Sequence, residues 1–311
     1  MNESPLAGGP ASALPLVLAL LLAPLLSGVI HRTKARFAGR VGPPLLQPYF
    51  DLARLVQKGA VYSQSTTLVF RLAPSVILAS MLAALLVVPL GNCRSPLAFW
   101  GDLILLVYVL ATARLLLVLG ALDTGSSFEG MGASREVSFA ALAEPALLLS
   151  LAAIARHTEA ISLSQMHAAL TPSLWLSGGL PLALVAAALV VLLLAENSRI
   201  PFDDPNTHLE LTMIHEVLVL DHSGPDLAYI LYAQALKLWL LAALVVSLIL
   251  PTRTGWAALD LLLALGGIFA MAVLVGVIES VMARLRLIRV PQLLVGAATL
   301  AALALVLEYQ G

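Results

Sequence analysis

Long apolar runs separated by short polar loops dominate the sequence. Each run is close to or above the roughly 20 residues that an α-helix needs to cross a bilayer. The alternating ten-residue segments typical of a transmembrane β-barrel do not occur. The pattern therefore predicts an all-α polytopic membrane protein with about eight transmembrane helices. The predicted spans are 12–30, 67–90, 98–121, 137–156, 174–195, 227–250, 256–279 and 290–307.

A different pattern lies between the first two spans. Three prolines, Pro43, Pro44 and Pro48, interrupt the backbone there. From Tyr49 to Lys58 the apolar residues fall on one side of a helix and the polar residues on another. This segment predicts a short amphipathic helix that lies in the membrane interface.

Composition narrows the class of protein. The chain is 60% hydrophobic and 11% charged, far more apolar than a soluble domain. A net charge of -1, without basic residues interleaved with aromatics, argues against nucleic-acid binding. The single cysteine, Cys93, can form neither an internal disulfide nor an iron–sulfur site, which takes about four ligands. Any redox chemistry must come from a partner or a diffusible ligand.

The distribution of Lys and Arg predicts the orientation of the chain. Eleven lie in the loops at about 31–66, 122–136, 196–226 and 280–289, against three on the other side, Arg94, Arg156 and Arg253. We expect the first set of loops to face the cytoplasm, so both termini lie outside. The N-terminal residues lack the positive region of a cleaved signal peptide, so residues 12–30 are expected to be a retained span. Residues 1–311 are predicted to form a single domain in the cytoplasmic (inner) membrane.

Residues 196–226 hold much of the limited polar material of the chain. The acidic residues are Glu196, Asp203, Asp204, Glu210, Glu216, Asp221 and Asp226, and Arg199 is the only Lys or Arg. Such a concentration predicts a docking or charge-handling site rather than a plain connection between helices.

A second distinctive loop, residues 122–136, contains Gly125, Gly130 and Gly132, which permit backbone shapes that other residues resist. Its charged residues are Asp123, Glu129, Arg135 and Glu136. We expect a surface that is shaped for a partner or ligand. The alternative is a flexible turn in which Ser134 caps a helix that starts near Arg135.

Ionisable residues deep within the spans are sparse: Arg114, Glu144 and Lys237, with Glu196 and Glu279 near the predicted cytoplasmic ends. A charge in hydrocarbon costs several kcal/mol unless it is paired or hydrated, so these side chains should face the interior. Buried carboxylates of this kind can form a proton path. The alternatives are a structural ion pair between Arg114 and Glu144, and snorkelling of Lys237 and Glu279.

The remaining motifs predict no catalytic or metal-binding residue. His208, His215 and His222 recur every seven residues, about two helical turns apart and too far for one metal ion. We expect interfacial or pH-responsive histidines instead. The sequence has no P-loop, no dinucleotide fingerprint after a strand and no nucleophile elbow.

Three segments together resemble the complex I subunit 1 family: GRVGPPLLQPYFDLARLVQK, FEGMGASRE and AENSRIPFDDPNTHLELTMIHE. Within that family the chain is similar to the branch found in membrane-bound group 4 [NiFe] hydrogenases of the formate hydrogenlyase type. The quinone-reducing branch typically has an E-x-E-L run followed by H-T-E-Y-S-G, where this chain has THLEL and then LDHSGPD. The resemblance therefore favours the hydrogenase branch.

The resemblance implies roles for particular residues. Arg40, Gln47 and Asp51 would line a quinone-like cavity or its remnant. Asp123, Glu129, Arg135, Glu136 and Arg199 would lie near the contact with a redox arm. The coupling path would contain Arg114, Glu144, Glu196, Asp203, Asp204, Glu210, Glu216, Lys237 and Glu279.

By the same resemblance, the chain anchors a hydrogenase and links its electron transfer to proton or Na⁺ translocation. The partners would be the [NiFe] large subunit, the small iron–sulfur subunit and antiporter-like membrane subunits. The [NiFe] centre and iron–sulfur clusters would lie in those partners, and quinone is the one ligand left open for this chain. Three alternatives stand: a quinone-reducing complex I subunit 1, a stand-alone secondary transporter, and a passive scaffold in which charged residues matter only for assembly.

Overall fold

The structure is a computed structural model that describes residues 13–203, 214–251 and 253–310. Regular structure in these ranges is helical. The helices are α1 (Ala13–Phe37), α2 (Gln47–Val56), α3 (Leu68–Val87), α4 (Asp102–Asp123), α5 (Ser127–Thr158), α6 (Leu163–Ala169), α7 (Pro172–Ser177), α8 (Gly179–Glu196), α9 (Gly224–Ile249), α10 (Ala257–Val281) and α11 (Val290–Gln310). Two short 3-10 turns, Glu216–Val219 and Leu287–Arg289, precede α9 and α11.

Eight of the helices in the described part are long and apolar enough to cross a membrane: α1, α3, α4, α5, α8, α9, α10 and α11. The prediction of an all-α polytopic membrane protein is therefore confirmed. Most observed helix ends lie within a few residues of the predicted ends. The basic residues after Ile30 continue α1 as a helix to Phe37.

The predicted loop at 122–136 is largely helical, and this corrects the sequence interpretation. Only the turn around Gly125, with a φ of 72°, separates α4 from α5. Gly132 lies inside α5, where a Cβ atom would come within 2.6 Å of the Val217 side chain, so its role is close packing. Ser134 is not a cap, because its hydroxyl donates to the Met131 carbonyl one turn earlier in the same helix.

The predicted amphipathic helix is confirmed as α2, which begins two residues earlier than expected. Just before α2, the Leu45 carbonyl lies against Gly28 of α1, where a Cβ would collide with it. Just after α2, Gly59 lies against Gly224 at the start of α9. The helix thus crosses one end of the bundle from α1 to α9.

The bundle has two distinct ends. At one end α1, α4, α8 and α10 finish, while α3, α5, α9 and α11 begin. We call this end the basic face, because it carries most of the Lys and Arg residues. The short helices α6 and α7 lie at the other end, which we call the opposite face.

Helix α9 lies at the centre and packs against α1, α2, α3, α8 and α10. Pro24 bends α1 beside it, because proline has no N–H to donate to the Leu20 carbonyl four residues earlier. The Tyr232 hydroxyl of α9 donates to that carbonyl at 2.8 Å. The Tyr49 hydroxyl of α2 donates to the next carbonyl, Leu21. Two tyrosines therefore fasten α2 and α9 to the bend in α1.

Candidate functional site

A cavity of about 480 Å³ opens near the basic face, between α1, α2, α3, α4, α8 and α9. One part of its wall is apolar and includes Pro24, Ile77, Met81, Leu110, Leu117 and Ile230. The other part is polar and includes Gln47, Asp51, Arg114, Glu136, Glu196, Arg199, Asp203, His215, Glu216, Gln234 and Lys237. The cavity is therefore amphipathic, with its charged groups gathered on one side.

Arg114 is the centre of the charged side. Its guanidinium contacts three carboxylates, Glu136 with 3.2 Å between Nε and Oε1, Glu144 with 2.6 Å between Nη1 and Oε1, and Glu196. The Lys237 ammonium lies 2.7 Å from a Glu196 oxygen. Side-chain exposure is 9% for Arg114 and 2% for Glu196. Charges so far from water persist only when they are paired, and the branched network supplies the partners.

Four helices bring these groups together. Arg114 comes from α4, Glu136 and Glu144 from α5, Glu196 from the last turn of α8, and Lys237 from α9. The predicted pair of Arg114 and Glu144 is present, but it is one branch of a larger network. Neither carboxylate of α5 is as deeply buried as Glu196, and the Glu144 side chain is 36% exposed.

A second group of ion pairs lies where α1 and α10 end. The carboxylate of Glu279 is 2.7 Å from the Lys34 ammonium and 3.5 Å from the Arg199 guanidinium. The Glu279 side chain is buried, so it does not snorkel to the surface. It ties the segment after α8 to α1 and α10.

Asp203 is the last residue of the acidic segment that the structure describes before residue 214, and several contacts hold it in place. Its carboxylate lies 3.0 Å from the Arg284 guanidinium and accepts the N–H groups of Ile214 and His215 at 2.9 and 3.2 Å. Glu216 follows in the 3-10 turn and lines the cavity. Asp204, Glu210 and His208 lie outside the described residues.

His215 contributes a polar group without a fixed charge. Its Nε2 is 2.6 Å from Nε2 of Gln234. Burial lowers the pKa of His215 below its ordinary value of 6.5, and the nearby carboxylate of Glu136 opposes this shift only in part. The imidazole is therefore neutral at neutral pH. Of the other predicted histidines, His222 stacks on Phe70 with ring centroids 4.0 Å apart, and burial also lowers its pKa.

Of the residues predicted for redox-arm docking or a quinone-like cavity, some line the cavity and others do not. Gln47, Asp51, Glu136 and Arg199 line the cavity, and Gln47 donates to Asp51 at 2.8 Å. Arg40 is exposed and lies outside the lining. Asp123 accepts the N–H groups of Thr67 and Phe70, so it caps α3.

Glu129 and Arg135 also lie away from the cavity lining, in the first part of α5. The buried carboxylate of Glu129 accepts the Thr124 hydroxyl and the Asp221 N–H, the latter at 3.2 Å. Glu129 thus fixes the chain between the 3-10 turn and α9 against α5.

The sequence interpretation missed several lining residues. Gln234 is the only amide side chain in α9, and a polar residue in an apolar span was a usable signal. His31, which directly follows the predicted first span, also lines the cavity. No pattern in the sequence indicated that the Pro24 bend would form part of the wall.

A family model and two known proteins are similar to this chain over most of its length. The family model described as NADH dehydrogenase matches residues 11–309. Hydrogenase-4 component C of Escherichia coli (strain K12) is 38% identical over 242 residues, which are 76% of this chain and 73% of that protein. Formate hydrogenlyase subunit 4 of the same organism is 33% identical over 289 residues, which are 90% of this chain and 92% of that protein.

A solved structure supports the fold. A chain of the membrane-bound sulfane sulfur reductase, an archaeal respiratory membrane complex, superposes with a TM-score of 0.84 and 21% sequence identity. The match covers 96% of this chain and 98% of that chain. The family model matches nearly the whole chain, and the two relatives named above agree with it. This multi-pass membrane chain therefore belongs to the NADH dehydrogenase family, of the complex I subunit 1 type.

Proposed function

We propose that the chain is the membrane-anchor and coupling subunit of a membrane-bound [NiFe] hydrogenase complex of the formate hydrogenlyase type. A hydrophilic redox arm docks on the basic face, and its electron transfer is linked to proton or Na⁺ translocation. The two curated relatives are named as components of a hydrogenase and of a formate hydrogenlyase, and they support this assignment. We place the basic face in the cytoplasm, because the loops on that face carry the excess of Lys and Arg. The membrane in this proposal is the inner membrane.

The observation that carries the proposal is the branching of the network at Arg114. Glu136 and Glu196 line the cavity, whereas Glu144 does not line it and its side chain, halfway along α5, is 36% exposed. One guanidinium therefore contacts carboxylates that face the cavity and a carboxylate that faces outward within the membrane. This geometry suits the transfer of an electrostatic signal from the docked arm to a neighbouring membrane subunit.

The size of the electrostatic interaction is sufficient for such a signal. Two unit charges 4 Å apart interact by about 4 kcal/mol at an effective dielectric constant of about 20. A change of one charge in the cavity would therefore redistribute the contacts of Arg114 among its carboxylates.

The redox groups belong to the partners in this proposal. The [NiFe] large subunit and the small iron–sulfur subunit would hold the metal centres, and antiporter-like subunits would cover the side on which Glu144 opens. In the described residues of this chain, no three His, Cys, Asp or Glu side chains group as metal ligands.

Purification in mild detergent tests the proposal. We expect the full-length chain to copurify with hydrogenase large and small subunits and with nickel. Solute uptake by the purified chain alone in liposomes would instead favour a stand-alone secondary transporter. A copurifying NADH-oxidising module without nickel would favour a respiratory complex I.

The cavity favours one second candidate, a quinone-reducing subunit. A volume of about 480 Å³ falls within the roughly 300–1,000 Å³ of small-molecule sites. Met81 and Leu110 could contact an apolar ring, while His215 and Gln234 offer hydrogen bonds to a carbonyl-bearing head group. A bound quinone would supply two-electron redox chemistry. Inhibition of electron transfer in the intact complex by a quinone-site inhibitor would favour this candidate, and full activity would reject it.

A further inference from the structure

Five exposed cations lie on the basic face, three at and just after the end of α1 and two in and just after α2: Arg32, Arg36, Arg40, Arg54 and Lys58. We call this set the basic shelf. No side chain of this set forms a hydrogen bond or ion pair with another residue in the described part of the chain. Lys34, which lies among them in sequence, is by contrast paired with Glu279 at 2.7 Å. The basic shelf is therefore a surface of uncompensated positive charge.

Apolar side chains share this surface. Phe37, Phe50 and Val56 are all more than half exposed. On α2, Phe50 and Arg54 are one helical turn apart and therefore on the same face. Leu52, two residues from each of them, lies on nearly the opposite side of the helix and lines the cavity. Helix α2 is thus a wall with the cavity on one side and a basic, apolar surface on the other.

The depth of α2 indicates what lies outside this wall. The Tyr49 hydroxyl donates to the Leu21 carbonyl, which lies well inside the apolar span of α1. The side chain of Leu21 is 60% exposed on the surface of this chain. We therefore place the adjoining outer surface of α2 beside the acyl chains, and the basic shelf, which follows the apolar span, at the level of the head groups.

We propose that the basic shelf binds the phosphate head groups of anionic phospholipids and that these lipids hold α2 in place as the wall of the cavity. Arginine guanidinium groups bind phosphate oxygens through paired N–H donors. An exposed phenylalanine beside them enters the acyl boundary, as in other interfacial helices. The proposal goes beyond the proposed function, since it does not depend on which redox module docks on the chain.

Lipid retention by the purified complex tests the proposal. The complex is reconstituted in nanodiscs of mixed phosphatidylglycerol and phosphatidylcholine, then transferred to detergent, and the retained lipids are quantified by mass spectrometry. We expect phosphatidylglycerol to be retained preferentially. The variant Arg32→Gln/Arg36→Gln/Arg54→Gln/Lys58→Gln should lose this preference, by about fivefold for each cation that contributes. Arg94→Gln, which removes an exposed cation from the opposite face, is the matched control and should change nothing.

Each other outcome overturns the proposal. The site is not a lipid site if the wild-type complex retains both lipids equally, or if soluble glycerol phosphate displaces phosphatidylglycerol. A quadruple variant that keeps its lipid preference but loses a hydrophilic subunit would identify the basic shelf as a protein contact. Where the quadruple variant does not fold, the single variants Arg54→Gln and Lys58→Gln are compared with Arg94→Gln in the same assay.

Discussion

Buried carboxylates occur at both ends of the bundle, but their partners differ. Near the cavity, Glu196 and Glu279 are each held by two cations, Arg114 with Lys237 and Lys34 with Arg199. At the opposite face, Asp102 accepts the Leu163 N–H at 2.6 Å and the Ser162 hydroxyl at 2.8 Å. Asp260 accepts the N–H and hydroxyl of Thr254, both at 2.8 Å.

This difference separates two uses of the same functional group. A carboxylate held by backbone N–H and hydroxyl groups fixes a loop, because its donors carry no charge that can be redistributed. A carboxylate in a branched set of ion pairs responds to any change in the charge of its neighbours. We therefore assign coupling to the ion pairs beside the cavity, and loop anchoring to Asp102 and Asp260 at the opposite face and to Glu129 at the basic face.

The largest effect is expected from Arg114→Gln, which leaves three carboxylates without their common cation. Removing one partner of a buried ion pair typically costs about 3–5 kcal/mol, and we expect a loss of stability of that order. The measurement is denaturant unfolding of the purified complex in detergent. The double variant Arg114→Gln/Glu196→Gln should recover part of the loss. A double variant no more stable than the single one would show that Glu196 is not the main group left uncompensated.

A smaller effect is expected from Asp102→Ala at the opposite face. The substitution leaves a buried N–H and a hydroxyl without their acceptor, which costs about 1–3 kcal/mol. Thermal unfolding should register this loss, while the number of ions translocated per electron pair should not change. A reduced translocation ratio in an otherwise folded Asp102→Ala complex would place the opposite face in the coupling path.

The smallest effect concerns pH. Burial keeps the folded-state pKa of His215 below the unfolded value of about 6.5, so below pH 6.5 the unfolded chain binds more protons than the folded chain. Stability should therefore fall as pH falls through that window, by up to about 1 kcal/mol between pH 6.5 and 5.5. His215→Asn removes this contribution. Unfolding curves at the two pH values should show a smaller difference in the variant than in the wild type, and equal differences would contradict the assignment.

Much of the fold and part of the candidate site could be predicted from the sequence. The eight spans follow from apolar length, and α2 follows from its mixed faces. Arg114, Glu144 and Lys237 were recognised because charges within a span need partners. The network places Arg114 against Glu144 and Glu196, and Glu196 against Lys237.

The remaining geometry depends on contacts that are distant in sequence. Arg114 and Glu196 are 82 positions apart, and their contact depends on how α4 and α8 are rotated about their axes. For the same reason, the sequence could not show that Gln47 lines the cavity and that Arg40 does not. Gly132 was assigned to a loop because glycine is common both in turns and where helices pack closely. The roles of Asp204 and Glu210 stay predictions.

The most direct test of the central claim is ion translocation by the intact complex in liposomes, measured together with its redox turnover. We compare Glu144→Gln with Glu159→Gln, which changes an exposed carboxylate at the end of α5 on the opposite face. The account predicts that Glu144→Gln assembles and transfers electrons but translocates fewer ions per electron pair, while Glu159→Gln matches the wild type. A normal ratio in the Glu144→Gln complex would contradict the account.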